Sequence, residues 1–461
     1  MTPISGTPTS GTTTAGKTTR VALTLAVALV LPLLRATPTS SAVVDSSAAA
    51  TSSAADASDA ERPDIEHVIV VIEQNHTFDS YFGAYPGVNG ITDGVLAYDP
   101  TPLSVYESNV GDSGLSNGRS TALAAHNGGS LNRFDVAQTA RGRDGSLALT
   151  YRTREDAPIL WSLADDYVLF DNYYSSSFGG SIPNTMHLFS GDDHGLATDS
   201  KSSVAGLTDL DAPTVFDRLN DAQESWGLYV GRLDELDPAK VISGGYADVD
   251  VTTPSAMYWA PPLGMPRFWQ DDELRAGLLD QQQFYRDAAS GSLPAVSYVI
   301  PQPTDHPASS GDQGQVRLQS LLNAVVKSPD WESTAVFVVW DDWGGFADHV
   351  DPPAGFGFRV PMLMISPHAK TGFVSSVEHD HTSVLNFIVD RFDLEPLTPR
   401  QQAANPFDDA IAPSVRDDRQ LLTQHVLDPT PVGTQSQNRA TLFMYIAGLS
   451  FGGALALIFG R

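Results

Sequence analysis

Five short segments of this 461-residue chain concentrate side chains able to hold a cation, move a proton or attack an electrophile. In residues 65–83, IEHVIVVIEQNHTFDSYFG, an apolar run stops abruptly at Glu73, Gln74, Asn75 and His76, with Asp79 close behind. Residues 334–350, TAVFVVWDDWGGFADHV, repeat the arrangement and deliver Asp341 and Asp342, then Asp348 and His349. Adjacent carboxylates after a buried strand are costly unless they share a cation or face apart into water. A third segment, SSSFGGSIPNTMHLFSG (residues 175–191), places Ser181 after two glycines and just before Pro183. Proline is favoured in a first helical turn, so Ser181 is expected at a helix N-terminus, where backbone N–H groups stabilise an oxyanion or phosphate. A nearby cation would lower the cost of a serine alkoxide further. Asp305 and His306 in PQPTDHP, and Glu378, His379, Asp380 and His381 at a helix start, add further acids and imidazoles. Each segment alone also reads as ordinary structure: a polar turn, a Gly/Ser loop, a Pro-rich turn, a solvated acidic loop, a helix cap. Together they suit phosphoryl transfer through a metal-activated serine.

The elements that must carry these groups alternate in type. Strand-like runs occur at 68–72, 167–170, 226–230, 295–300, 335–340 and 361–365, and helical patterns at 214–222, 314–327 and 381–392. Such alternation predicts an α/β fold with a largely parallel central sheet and helices on both faces. Ligands then gather at the carboxyl ends of the strands. Residues 234–270, rich in Gly, Pro and aromatics, read as an insertion or cap near the site. Trp259, Phe268 and Trp269 are either packing residues or a cage for a quaternary ammonium group.

Composition narrows the function. A formal net charge of −28 argues against generic nucleic-acid binding, which needs Lys and Arg to neutralise phosphates. An anionic substrate would need local positive charge, which a divalent metal ion supplies. Cysteine is absent, which excludes disulfides, thiolate ligands and a cysteine nucleophile. Residues 1–35 read as a signal peptide, with Lys17 and Arg20 ahead of the apolar run 21–34. An uncleaved signal anchor is the rival for that run. Residues 36–62 form an Ala/Ser/Thr-rich linker, 63–426 the folded domain and 427–439 a tether. Residues 440–460, uncharged between Arg439 and Arg461, are just long enough for a transmembrane helix. The expected location is the extracytoplasmic face of a membrane, held by that single C-terminal anchor; secretion is the alternative.

The ordered motifs resemble the bacterial phosphoesterase family that contains phosphatidylcholine-type phospholipases C and acid phosphatases, within the alkaline-phosphatase-like superfamily. The likeness spans roughly residues 65–394. QNHTFDSYFG is similar to the family's E-N-R-S-F-D-x-Y-F-G, AHNGGSLNRF to N-G-G-K-M-D-x-F, and STAVFVVWDDWGGFADHV to T-W-D-E-x-x-G-F-x-D-H-V. HDHTSVLNFI is similar to D-H-T-S-x-x-x-F-I, and YRTREDAPILWSLADDYVLFDNYYSS to the segment before the nucleophile. The resemblance implies an alkaline-phosphatase-like fold and a phosphate-ester substrate, phospholipid included. It implies Ser181 as nucleophile and metal-side ligand, with Asn75, Asp341 and Asp342 at metal positions and Gln74 where the family has an acid. His306, His349 and His381 fall at or near its active-site imidazoles. Thr185 stands where the family has arginine after Pro-Asn, and the family's D-x-x-H element is not recognisable. These departures keep a second reading open: a catalytically weak protein that binds phosphorylated ligands.

Overall fold

The computed structural model describes residues 64–91, 104–105, 114–248, 250–302 and 311–416. The expected signal peptide, linker, tether and transmembrane helix lie outside the described residues, as do Asp305 and His306. Among the described residues, no helix is long and apolar enough to cross a membrane.

Eight strands form the main sheet: β1 (His67–Glu73), β2 (Val168–Phe170), β3 (Trp226–Val230), β4 (Leu278–Asp280), β5 (Val296–Ile300), β6 (Thr334–Trp340), β7 (Met362–Ile365) and β8 (Phe373–Ser375). Their spatial order is β8-β2-β7-β6-β1-β5-β3-β4. All pairings are parallel except those of β7, which runs antiparallel to both β2 and β6. The sheet is therefore largely parallel, as expected, with one reversed strand. The reason lies in the connection: no helix separates β6 from β7, so the chain re-enters at the edge where it left and must run the other way. That leaves the whole loop 341–361 at the carboxyl edge of the sheet. Every residue of β6, and every residue of β1 after His67, is buried. Successive side chains point to opposite faces, so both faces of the sheet are covered. The short edge strands β4 and β8 escaped the sequence pattern, being too brief to show alternation.

The helices used below are α1 (Phe78–Phe82), α2 (Arg119–His126), α3 (Ser181–Ser190), α4 (Val215–Ala222), α5 (Gly311–Lys327) and α6 (His381–Arg391). Residues 234–270 form short helical turns rather than a separate unit, and Ala256–Trp259 packs against α3. Phe268 is fully buried, and Trp259 and Trp269 lie partly buried against the core. These aromatics are packing residues.

Candidate active site

Two adjacent parallel strands, in register, build the floor of the site. Glu73 at the end of β1 lies opposite Trp340 at the end of β6, so Gln74–Asn75 and Asp341–Asp342 leave the sheet side by side. The Asp341 N–H donates to the Glu73 carbonyl at 3.1 Å. Asn75 then takes a left-handed conformation (φ 62°), which Asn tolerates better than most residues. Its N–H and that of Asp342 both donate to Asp341 Oδ1, at 2.9 and 2.8 Å. Asp342 Oδ1 accepts from the Gly344 N–H at 2.7 Å. Gly344 has a φ of +63°, and a Cβ there would sit 2.1 Å from the Asn75 carbonyl oxygen, so only glycine fits.

Ser181 arrives from the other side. It is the first residue of α3, preceded by a loop that Asn184 staples: its Oδ1 accepts from the Ser177 N–H, and its Nδ2 donates to the Gly179 and Gly180 carbonyls. Thr185 Oγ1 donates back to the Ser181 carbonyl at 2.7 Å. Ser181 Oγ lies 3.3 Å from both Gln74 Oε1 and Asp342 Oδ2. Gln74, Asn75, Ser181, Asp341 and Asp342 are therefore brought together. One expectation is corrected. The backbone N–H groups of Ser181 and Ile182 do not stand open to an anion; Asp199 already accepts both, at 2.8 and 2.7 Å. Pro183, next in the turn, has no N–H to offer.

Among the described residues, no ion pair joins a basic side chain to Asp341 or Asp342. Burial pushes the Asp341 carboxyl up to about 7. Asp342 is driven well above the ordinary carboxylate range by burial first and the neighbouring Asp341 charge second. Asn75 Oδ1 and Asp341 Oδ2 are buried and accept no hydrogen bond. Oxygen atoms left this way normally cost free energy, and a hard divalent cation satisfies such a set. The donors present thus fit a metal ion.

A second acidic cluster forms further along the same loop. Oxygen and nitrogen atoms of Asp79 on α1, Asp348 and His349 lie within 4.8 Å of one another, a spacing compatible with a metal. Here, however, the chain supplies the cation. The fully buried Arg359 donates through Nε to Asp348 at 2.9 Å and through an η-nitrogen to Asp79 at 3.0 Å. Its other η-nitrogen donates to the Asn89 and Asp171 carbonyls, both at 2.8 Å. His349 Nδ1 contacts Asp79 at 2.7 Å, while the side chain stays 25% exposed and Nε2 lies 3.3 Å from Asn89 Oδ1. Burial alone would lower the His349 pKa, but its hydrogen bond to Asp79 and that carboxylate's charge raise it above the ordinary value.

His381 does not join these groups as a free imidazole. It is wholly buried; its Nε2 meets the Asp341 carbonyl at 2.8 Å and its Nδ1 the Tyr173 hydroxyl at 2.9 Å. Burial holds its pKa near 4, so it is a neutral brace behind Asp341. His379 stacks on Phe407 at 4.3 Å, and Asp380 caps α6 through the Thr382 N–H. The His76 ring stacks on Phe346. Asn117, Asp199, Tyr173 and Arg359 were not singled out from sequence. Asn117 donates to Asp342 Oδ2 at 2.9 Å from 225 positions away, and no local pattern marks such a residue.

The family model described as the Phosphoesterase family matches residues 65–395, from the start of β1 to just past α6. The chain belongs to the Phosphoesterase family. Among curated relatives in the comparison, non-hemolytic phospholipase C of Pseudomonas aeruginosa is 26% identical over 407 residues, covering 74% of this chain and 56% of that protein. Phospholipase C A of Mycobacterium tuberculosis is 26% identical over 391 residues, covering 71% of this chain and 73% of that one. This phosphoesterase thus spans little more than half the length of the Pseudomonas protein. A solved structure from the alkaline phosphatase superfamily, from Vibrio parahaemolyticus, aligns over 74% of this chain and 69% of that one, at 12% identity and a TM-score of 0.36. That likeness is too distant to carry the assignment, which rests on the family match.

Proposed function

We propose that this chain is a phosphoric ester hydrolase in which Ser181 attacks phosphorus. The observation that carries the reading is the Ser181 hydroxyl at a helix N-terminus, 3.3 Å from both Gln74 Oε1 and Asp342 Oδ2, beside the unpartnered oxygens of Asn75 and Asp341. Gln74, Asn75, Ser181, Asp341 and Asp342 would hold a divalent metal ion. Once bound, it would neutralise the carboxylates, lower the cost of the serine alkoxide and offset charge on the phosphoryl oxygens.

The chain's own groups carry the steps. Ser181 Oγ releases its proton toward Asp342 Oδ2 and attacks phosphorus. The new Oγ–P bond forms as the bond from phosphorus to the alcohol oxygen breaks. His349, whose pKa is raised by its hydrogen bond to Asp79, gives a proton to the departing oxygen through Nε2. Water then attacks the phosphoserine and gives its proton back to His349; the Oγ–P bond breaks, Ser181 Oγ takes back the proton held by Asp342, and the phosphate product leaves. His381 acts through Asp341, as a positioning residue. The phospholipases C among the relatives support a phospholipid as substrate, and the apolar runs 21–34 and 440–460 support an exported enzyme held at a membrane.

The test is hydrolysis by the full chain of nitrophenyl phosphate and nitrophenyl phosphorylcholine, with and without chelator, beside Ser181→Ala. Chelator-sensitive turnover that disappears in the variant is expected. A folded, metal-supplemented chain that turns over neither ester would favour the binding protein without catalysis, a reading motivated by the neutral Gln74. Membrane fractionation with protease accessibility checks the location.

A further inference from the structure

Asp199 has no part in the mechanism above, yet it is the side chain most intimately attached to the nucleophile's backbone. Its two carboxylate oxygens accept separately from the Ser181 and Ile182 N–H groups, at 2.8 and 2.7 Å. The capping residue, Gly180, contributes no side-chain bond. With Pro183 third in the helix, the first turn has no N–H left over for a substrate. Gly180 is matched to this arrangement, since a Cβ there would lie 2.1 Å from Asp199 Oδ2. The bonds are bridged across 18 residues, so this is not a local helix cap of the usual kind. Asp199 is partly buried; desolvation raises its carboxyl pKa to about 6 against the two N–H bonds, which favour the ionised form, so at neutral pH it is mainly a carboxylate. Thr198, its neighbour, helps line a cavity of about 360 Å³ together with Gly118, Arg119, Ser120 and Leu123. Of the residues next to that lining, Asn117 bonds Asp342, and the lining residue Arg119 bonds the Phe178 carbonyl.

The position that a helix N-terminus offers to an anion is therefore filled by a carboxylate of the chain itself, mainly ionised at neutral pH. A phosphomonoester brings close to two negative charges at neutral pH; a phosphodiester brings one, together with a second uncharged substituent. The first meets more repulsion from Asp199. We propose that Asp199 is a specificity-determining residue that disfavours doubly charged phosphomonoesters relative to singly charged phosphodiesters. This rests on Ser181 being the nucleophile.

The experiment compares the full chain with its Asp199→Asn and Asp199→Glu variants, metal present throughout. It reads kcat/KM for nitrophenyl phosphorylcholine and nitrophenyl phosphate, and the affinities of inorganic phosphate and dimethyl phosphate by calorimetry. In Asp199→Asn the diester-to-monoester ratio of kcat/KM should fall about tenfold, and inorganic phosphate should bind about tenfold tighter relative to dimethyl phosphate. Asp199→Glu, which keeps the charge, should keep the ratio. Should Asp199→Asn not fold, Gly180→Ala displaces the carboxylate without neutralising it and should move the ratio in the same direction. Equal losses on both esters with unchanged relative affinities would reduce Asp199 to a helix cap and overturn the proposal. Loss of the phosphoesterase reading gives a different result: neither ester is turned over, or Ser181→Ala turns over both, while the calorimetric comparison still decides the role of Asp199.

Discussion

The loop 341–361 builds two buried carboxylate clusters that solve the same electrostatic problem in opposite ways. At its start, Asp341 and Asp342 face Asn75, Gln74 and Ser181 with, among the described residues, no basic side chain bonded to them, and burial drives both acids toward the protonated form. Further on, Asp79 and Asp348 are tied to Arg359, a cation that never leaves. Burying a charge is costly unless it is paired, so a chain that leaves one pair unneutralised must recover the cost from something it binds. On the function proposed above, the contrast separates a site that takes up a cation from a strut that holds a loop and a histidine in place.

That difference can be broken in graded steps. Ser181→Ala should cut turnover on the order of 10⁴-fold or more while leaving the thermal midpoint essentially unchanged, as read by ester hydrolysis and melting. Substitutions in the two clusters should then have opposite signs. Arg359→Met strands two buried carboxylates and should destabilise the fold by about 3–5 kcal/mol in denaturant titration. Asp342→Asn relieves burial and repulsion and should stabilise the metal-free protein by roughly 1–4 kcal/mol while abolishing activity. A loss of stability in Asp342→Asn without metal would remove the contrast. Gly344→Ala, forced against the Asn75 carbonyl at positive φ, should cost about 1–3 kcal/mol and lower turnover as well, because it moves donors on both strands.

The gentlest test uses pH. Asp341 is raised from its ordinary 3.8 to about 7 in the fold, so between those values the folded state binds more protons than the unfolded chain. Stability of the metal-free protein should therefore fall as pH rises from about 4 to about 7, by at most about 1.4 kcal/mol per pH unit for each such group. His349, also raised, adds stability that is present below its unfolded value and is lost as pH rises through its folded one. Saturating divalent metal, which needs ionised carboxylates, should flatten the decline contributed by Asp341 and Asp342. An identical slope with and without metal would count against cation uptake at these residues.

Much of this was legible in the chain. The β1 and β6 runs are apolar, β-branched and end in polar clusters, which marked both strands and the side chains that follow them. The glycines and proline around Ser181 gave the helix start. The roles of the imidazoles were not legible, since a histidine's function depends on what its two nitrogens meet. His381 meets a carbonyl and a tyrosine hydroxyl; His349 meets Asp79. Neither partner is near in sequence.

By itself, then, the sequence determined local features: where buried strands end, which oxygens follow them, and that a serine begins a helix. These follow from local hydrophobic pattern and backbone preference, which act over a few residues. Only the tertiary structure decided which carboxylates are neutralised by arginine and which are left open, and that Asp199 fills the helix terminus beside Ser181. Those outcomes depend on groups meeting across separations from 11 to 280 residues in a medium of low polarisability, where pairing sets the energy and sequence distance does not enter.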